Sequence, residues 1–228
     1  MTPTRLAAAQ RHSPGSRPVR SSQDIFNVGE RKTGMSSDQR TLPAMAIQLG
    51  ELLTNTKGGK SLPLRREGGP VVWQSAEVQK ILWQPSAYND ADAKRVPICL
   101  EPEETAAQEL EEIEKQVVQL LSQQSQSDTK IFGKALAPHE VEARLQSCRK
   151  TSARGNSFLK FKLNWDRVRV WDASGQELQE FGDLAGRSCK VRVELRQCWL
   201  MPPSWGILME VTDLMLMEAA PPQIQCPF

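Results

Sequence analysis

Ser188–Met201 has the sequence SCKVRVELRQCWLM, in which apolar and charged side chains alternate. Val191, Val193, Leu195 and Trp199 fall on one face of an extended chain. The opposite face carries Lys190, Arg192, Glu194 and Arg196. A period of two is typical of a strand with one face in a core and the other in solvent. The segment therefore predicts a long, half-buried strand. The parity of Trp199 assigns it to the core by default, while its place beside the turn at Pro202–Ser204 leaves a binding role open.

The chain on either side extends this pattern. Pro202, Pro203 and Ser204 predict a turn, and Trp205–Met217 (WGILMEVTDLMLM) is apolar enough for a strand buried on both faces. From Phe158 onward Leu159, Phe161 and Leu163 alternate with polar residues, and this alternation shifts by one near residues 164–166. Such a shift indicates a bulge or bend. Together these segments predict an antiparallel sheet.

Two helices and three short strands are predicted upstream. Glu103–Gln124 places Leu110, Ile113 and Val117 on one stripe, and Pro138–Arg149 begins with a proline. Short apolar runs at residues 71–73, 78–83 and 96–100 are bounded by turn residues, which is typical of strands.

Charge is unevenly distributed along the 228 residues. The formal net charge is only +2, which excludes a histone-like global field, but residues 1–66 hold eleven Lys and Arg against four acids. This composition predicts a disordered basic arm over 1–66, a domain over 67–218 and a tail over 219–228. The N-terminus lacks the apolar segment of a secretory signal, and its freedom from acids before Asp24 leaves organelle targeting open.

Catalytic and metal-binding motifs are poorly represented. The chain has five cysteines without a C-x-x-C spacing, and only two histidines. Gly59-Lys60-Ser61 resembles the end of a phosphate-binding loop but lacks the upstream glycine, and Pro63 opposes the helix that should follow. We therefore predict no catalytic residue, no metal and no cofactor.

The non-core faces of the predicted strands combine cations with aromatic rings. Cations follow a phosphate backbone, and exposed rings stack on bases, as a single-strand binder requires. We predict phosphate contacts from Lys160, Lys162, Arg167, Arg169, Lys190, Arg192 and Arg196. We predict base stacking by Phe158, Trp171 and Trp205. A solvated sheet face without a ligand carries the same residue types, so the pattern leaves that alternative open.

Several short motifs resemble those of one protein family. They are Phe132-Gly133-Lys134, Lys160-Phe161-Lys162, Trp171-Asp172 with Gly175, and Gln197-Cys198-Trp199 followed by Gly206 and Val211-Thr212-Asp213. In this order they resemble the OB-fold single-stranded DNA-binding proteins of large nucleocytoplasmic DNA viruses, over about residues 70–218. The resemblance implies an OB-type barrel and DNA binding without catalysis, in replication, repair or transcription.

The sequence thus predicts an α+β protein, with an OB-like Greek-key antiparallel β-barrel, two packing helices and a disordered basic arm. Its expected ligand is single-stranded DNA, or RNA, bound without sequence specificity. The alternative is a protein-interaction or assembly subunit that docks through the 103–124 helix or the C-terminal tail. We expect an intracellular protein of the nucleus or cytoplasm that does not enter a membrane, since no apolar run is long enough to span one.

Overall fold

The computed structural model describes residues 47–87 and 94–217. In these residues the sheet contains β1 (Ile47–Leu49), β2 (Leu53–Thr54), β3 (Lys60–Arg66), β4 (Val71–Gln74), β5 (Gln79–Lys80), β6 (Arg95–Leu100), β7 (Arg149–Thr151), β8 (Ser157–Asn164), β9 (Arg169–Trp171), β10 (Ser188–Met201) and β11 (Ser204–Leu216). The helices are α1 (Glu104–Ser127) and α2 (Pro138–Glu142). The predicted mostly-sheet fold with two helices is confirmed.

The β10–β11 hairpin forms the centre of the sheet. Its strands pair antiparallel from Cys189↔Leu216 to Met201↔Ser204. The edge of β10 that faces away from β11 pairs with β3, β4 and β5. The edge of β11 that faces away from β10 pairs with β8 and β9. Five of the described strands therefore pair directly with this hairpin, and β1, β2, β6 and β7 extend the sheet from β3 and β8.

The strand ladder differs from an antiparallel barrel. β11 pairs with β8 and β9 in parallel, so the expectation of a purely antiparallel sheet is wrong at these two pairs. The path β1-β3-β10-β11-β8-β6 is open. Ile81 lies between β6 and β10. It forms an isolated bridge with Leu100 of β6 and donates its N–H to the carbonyl of Arg187, next to β10, at 2.9 Å. The sheet is thus unclosed as a strand ladder, and single-residue pairing spans the opening.

The ordered domain begins earlier than the sequence predicts. β1, β2 and β3 lie within residues 47–66, so the assignment of that stretch to a disordered arm is wrong. Leu62 and Leu64 are buried, and Pro63 between them, which has no N–H to donate, still accepts the Gly50 N–H at its carbonyl at 2.8 Å. Cations lie on both sides of these two leucines, so the stretch has a basic composition and its short apolar alternation is easily missed. The rest of the predicted arm, residues 1–46, and the tail 219–228 lie outside the described residues.

Helix α1 covers the core side of the sheet. Its stripe of Leu110, Ile113 and Val117 is buried together with residues of the strands. Its N-cap is Glu103, whose carboxylate accepts the N–H groups of Ala106 and Thr105. These bonds, that of Ala106 above all, lower the pKa of Glu103. Trp73 of β4 also ties the helix to the sheet, since its Nε1 donates to Glu109 at 2.8 Å.

Helix α2 is shorter than the predicted 138–149. It ends at Glu142 because the following chain pairs with β11, where Trp205 donates its N–H to the Arg144 carbonyl and accepts from Gln146. Tertiary pairing thus overrides helical periodicity there. No helix among residues 47–87 and 94–217 is long and apolar enough to cross a membrane.

Phe161 tests the core assignment. Its ring is 1% exposed and lies 6.0 Å from the Trp73 ring, so Phe161→Ala should lower the free energy of unfolding by about 3–5 kcal/mol in urea titration. Lys162→Ala, one residue on and facing solvent, should change it by no more than about 0.5 kcal/mol. Similar losses for both variants would contradict the assignment of alternate β8 residues to core and surface.

Candidate nucleic-acid interface

The sheet surface that points away from the core, here called the outer face, collects most of the predicted cations. The strand register aligns them in rows: Lys162 with Glu210 and Glu194, Arg169 with Asp213 and Arg192, and Trp171 with Met215 and Lys190. Lys160 lies two residues before Lys162 on β8 and pairs with Cys99 of β6. The structure therefore brings together side chains from β6, β8, β9, β10 and β11.

Buried carboxylates engage all four predicted arginines. Asp213, whose side chain is 1% exposed, lies 2.6 Å from Arg169 Nη2 and 4.0 Å from Arg192 Nη1. Glu210, whose side chain is 7% exposed, lies 3.0 Å from Arg196 Nη1 and 3.9 Å from Arg167 Nη1. Arg196 also lies 3.7 Å from Glu194. We call these seven residues the carboxylate-paired region: Arg167, Arg169, Arg192, Arg196, Glu194, Glu210 and Asp213.

This pairing has a simple energetic cause. A carboxylate without a counter-charge is costly to bury, whereas charge-assisted hydrogen bonds from arginine compensate for lost hydration. Arg169 and Arg196 are therefore held by the acids beneath them, at 2.6 and 3.0 Å, whereas Arg167 and Arg192 interact with the same acids only at 3.9 and 4.0 Å. Part of the charge of the arginines is neutralised within the protein, and their capacity to bind a phosphate falls accordingly.

The three predicted lysines differ from the arginines. Lys160 and Lys162 are exposed and Lys190 is half-buried, and within the described residues none of them forms a salt bridge. Lys160 lies close enough to Cys99 to oppose the rise that burial produces in the pKa of that thiol. These ammonium groups remain available for an anionic ligand.

A further group of cations was missed by the sequence argument. Residues 143–165 contain six cations and no acid, a signal that alternation along a strand does not reveal. Lys150 of β7 pairs with Phe158 of β8, and exposed Arg149 and Arg154 lie in the same hairpin. We call Lys150, Lys160 and Lys162 the lysine track, because they lie on the β7–β8 part of the outer face without a carboxylate partner.

Aromatic rings lie beside the lysine track. Phe158 is half-buried on the outer face and packs against Trp83 edge to face, with ring centroids 5.3 Å apart. Trp83 is 51% exposed. The apolar run at 78–83 predicts a strand that ends at Trp83, and this pattern gives no sign that the Trp83 ring is exposed. The structure shows it beyond the Ile81 bridge, where its ring faces solvent.

Two of the three predicted stacking residues are in fact buried. Trp171 is 7% exposed, donates from Nε1 to Asp213 at 3.2 Å, and is covered by Arg169 at 5.2 Å from the ring centroid. Trp205 is 0% exposed and donates from Nε1 to the Val141 carbonyl at 2.7 Å. Their assignment as base-stacking platforms is wrong, because each ring is already packed and hydrogen-bonded within the protein.

Trp199 lies opposite to the expected side. The β10–β11 register shifts between Leu195 and Gln197, so Cys198 and Leu200 point into the core and Trp199 onto the outer face. The alternation used to place it in the core is interrupted by this irregularity, which changes side-chain parity.

Comparisons with solved structures align this chain with phage proteins. The gp2.5 single-stranded DNA-binding protein encoded by bacteriophage T7 aligns over 68% of this chain and 95% of its own, at 12% identity and a TM-score of 0.46. The single-stranded DNA-binding protein from bacteriophage Enc34 aligns over 79% and 96%, at 10% identity and a TM-score of 0.44. The same phage protein in complex with ssDNA aligns over 77% and 98%, at 12% identity and a TM-score of 0.42.

No protein-family model and no curated protein matches the sequence. The structural neighbours are phage single-stranded DNA-binding proteins. The resemblance to the corresponding proteins of large nucleocytoplasmic DNA viruses stays a prediction.

Trp171 and Trp83 make a matched pair of substitutions. Trp171→Phe keeps a ring but removes the donor to buried Asp213, so the free energy of unfolding should fall by about 1–3 kcal/mol. Trp83→Phe removes no hydrogen bond given by the structure and should cost no more than about 0.5 kcal/mol. Urea titration of both variants measures the difference. An unchanged stability for Trp171→Phe would contradict the burial of this indole against Asp213.

Proposed function

We propose that this protein binds single-stranded DNA through the outer face, without sequence specificity and without catalysis. The observation that carries the proposal is the lysine track next to the exposed Trp83–Phe158 pair. Ammonium groups free of carboxylates attract phosphates, and exposed rings stack on bases. RNA offers the same phosphates and bases and is the competitor that the binding experiment includes.

The side chains favour a single strand over a duplex. The Trp83 ring can stack only on a base that has left its own stack, and duplex bases have not. Lysines are point charges that do not read base edges in a fixed geometry. Together they favour binding that depends on strandedness and salt rather than on sequence.

The carboxylate-paired region has a secondary part in the proposal. An arginine has five N–H donors, and those not directed at Asp213 or Glu210 remain able to reach a phosphate. Because the acids neutralise much of their charge, these arginines contribute orientation more than attraction. Phosphate contacts from Arg167, Arg169, Arg192 and Arg196 are therefore part of the proposal as weaker contributors than the lysine track. Lys190, which is half-buried and forms no salt bridge within the described residues, adds a further phosphate contact to the proposal.

The remaining sequence predictions belong to the same proposal. They are an OB-like barrel around the β10–β11 hairpin and a role in replication, repair or transcription. A protein partner docked on α1 would meet a polar surface, because Gln108, Glu111, Glu112 and Lys115 are exposed while the apolar stripe is buried. Docking of a protein through α1 or the tail stays a prediction. The buried apolar stripe of α1 does not support docking on this helix.

Salt dependence tests the phosphate contacts. The affinity for labelled oligo-dT should fall between 50 and 200 mM salt, with about 0.7 in the log–log slope for each phosphate neutralised. Lys160→Ala and Lys162→Ala should each reduce that slope by about 0.7, measured by fluorescence anisotropy. Lys115→Ala, whose amine lies 3.0 Å from Glu111 on α1, is the control and should leave the slope unchanged. A slope that neither lysine substitution alters would contradict the lysine track.

Trp83 tests the preference for a single strand. Trp83→Ala should weaken binding to oligo-dT by roughly 5- to 100-fold, the effect of losing one stacked base. Binding to a duplex of equal length should change little, since its bases cannot reach the ring. Competition with duplex DNA and single-stranded RNA measures both effects. An equal loss for single strand and duplex would show that Trp83 acts through something other than stacking.

A further inference from the structure

Trp199 lies near the turn of the β10–β11 hairpin, on the outer face. Its neighbours across the sheet are Ser61 of β3 and Gly206 of β11. The side chain is half-buried, and among the described residues neither an aromatic ring nor a cation stacks on it. Neither the predicted function nor the core accounts for an indole in this position.

Gly206 shows how the indole is seated. A Cβ added to Gly206 would lie 2.6 Å from Cζ2 and 2.9 Å from Cε2 of Trp199, closer than real carbon atoms approach. The ring therefore rests directly on the backbone of β11 and keeps Gly206 buried. Because one side of the ring lies on backbone, a flat, apolar partner can reach only the opposite side.

The surroundings of Trp199 are apolar and exposed. Leu53 of β2 pairs with Ser61, next to Trp199, and is 51% exposed. Met201 follows two residues later on the same face of β10 and is 65% exposed. The register thus places two exposed apolar side chains, Leu53 and Met201, near Trp199 on the outer face, and we call these two residues the apolar rim.

Backbone pairing connects this position with the lysine track. Trp205, one residue before Gly206, donates its N–H to the Arg144 carbonyl and accepts the Gln146 N–H. Only two residues separate Gln146 from β7, which pairs with β8 and carries Lys150. The connecting chain lies in the acid-free stretch of residues 143–165. Lys150 thus lies on the outer face between Gln146 and Phe158, whereas Arg149 has the parity of Leu159 and lines a cavity with Glu111 and Glu114 of α1.

We propose that Trp199, supported by Gly206, is a second base-stacking platform, and that a single strand bound at the lysine track continues over the end of the β10–β11 hairpin. The inference rests on the proposed single-strand binding and adds a separate contact to it. A nucleotide suits the site because its base is flat and its phosphate is attracted by Lys150 of the neighbouring β7. If the occupant were instead a second copy of this chain, it would contact the apolar rim without needing the lysines.

Photo-crosslinking of the unaltered full chain tests the platform directly. Oligo-dT of about 16 nucleotides, the upper end of site sizes for one OB fold, would carry 5-iodouracil at single positions in turn. Irradiation couples this base to an aromatic side chain stacked on it. We expect crosslinked peptides containing Trp199 as well as peptides containing Trp83 or Phe158. Crosslinks confined to Trp83 and Phe158 would overturn the second platform and leave the proposed function in place.

Substitution gives an independent measure. Trp199→Leu should weaken binding of the 16-nucleotide strand by roughly 5- to 100-fold, whereas Trp199→Phe, which retains a ring, should lose far less. Trp165→Leu is the matched control, because that half-buried indole already stacks on Phe181 at 5.6 Å. Thermal melting of each variant shows whether it remains folded at the binding temperature.

The outcomes separate the two proposals. If the unaltered chain fails to bind the single strand at low salt, both are overturned. If Trp83→Ala weakens binding and folded Trp199→Leu does not, only the second platform is overturned. A Trp199→Leu variant that changes the oligomeric state by size-exclusion chromatography, while keeping its affinity, would assign the apolar rim to contacts between copies.

Discussion

The register of the β10–β11 hairpin is the constraint on which the rest of the structure depends. Its edges receive β3, β4 and β5 on one side and β8 and β9 on the other, so a shift of one residue would turn every core side chain of the hairpin toward solvent. The buried carboxylates depend on the same register. Asp213 meets Arg169 and Arg192 only because all three lie in one row across β9, β11 and β10. Fold and candidate interface are therefore fixed by one set of backbone hydrogen bonds.

Two irregularities in that register shape the outer face. The shift between Arg192 and Val193 leaves Thr212 outside the regular pairing, and its hydroxyl donates to Asp213 at 3.0 Å. The shift between Leu195 and Gln197 exchanges the faces of the residues that follow, so Cys198 enters the core and Trp199 leaves it. Burial raises the pKa of the Cys198 thiol above its ordinary value, which keeps that thiol neutral in the core. A hairpin without the second irregularity would bury Trp199 and expose Cys198.

The sequence predicts elements whose pattern is long and regular. The bounds of β10 agree with the prediction, β11 and α1 agree within a few residues, and the parity of β8 correctly places Lys160 and Lys162 on the surface. The errors arise where a distant partner decides. Trp171 has the parity of a surface residue, but Arg169 and Asp213, the latter 42 residues away, enclose it. β3 has only two buried leucines, set among cations and a proline, and does not stand out until β10 pairs with it. The exposure of Trp83 likewise depends on the irregular chain around Ile81, which no periodicity encodes.

Cation density on a sheet face does not by itself measure affinity for phosphate, because internal acids compete for the same charges. On this outer face arginine and lysine are divided between the two uses: the four arginines contact carboxylates, while Lys160, Lys162 and Lys190 do not. The division follows from side-chain chemistry. A planar guanidinium matches a buried carboxylate with several donors in fixed geometry, whereas a hydrated ammonium on a flexible stem loses little by staying in solvent. The acids Glu210 and Asp213 thus lower the charge that the arginines offer to a phosphate, while Lys160 and Lys162 lie on the same strand face as Phe158 without such a partner. A ligand that is both anionic and flat is therefore attracted to the lysine track rather than to the carboxylate-paired region, although the latter contains more cations.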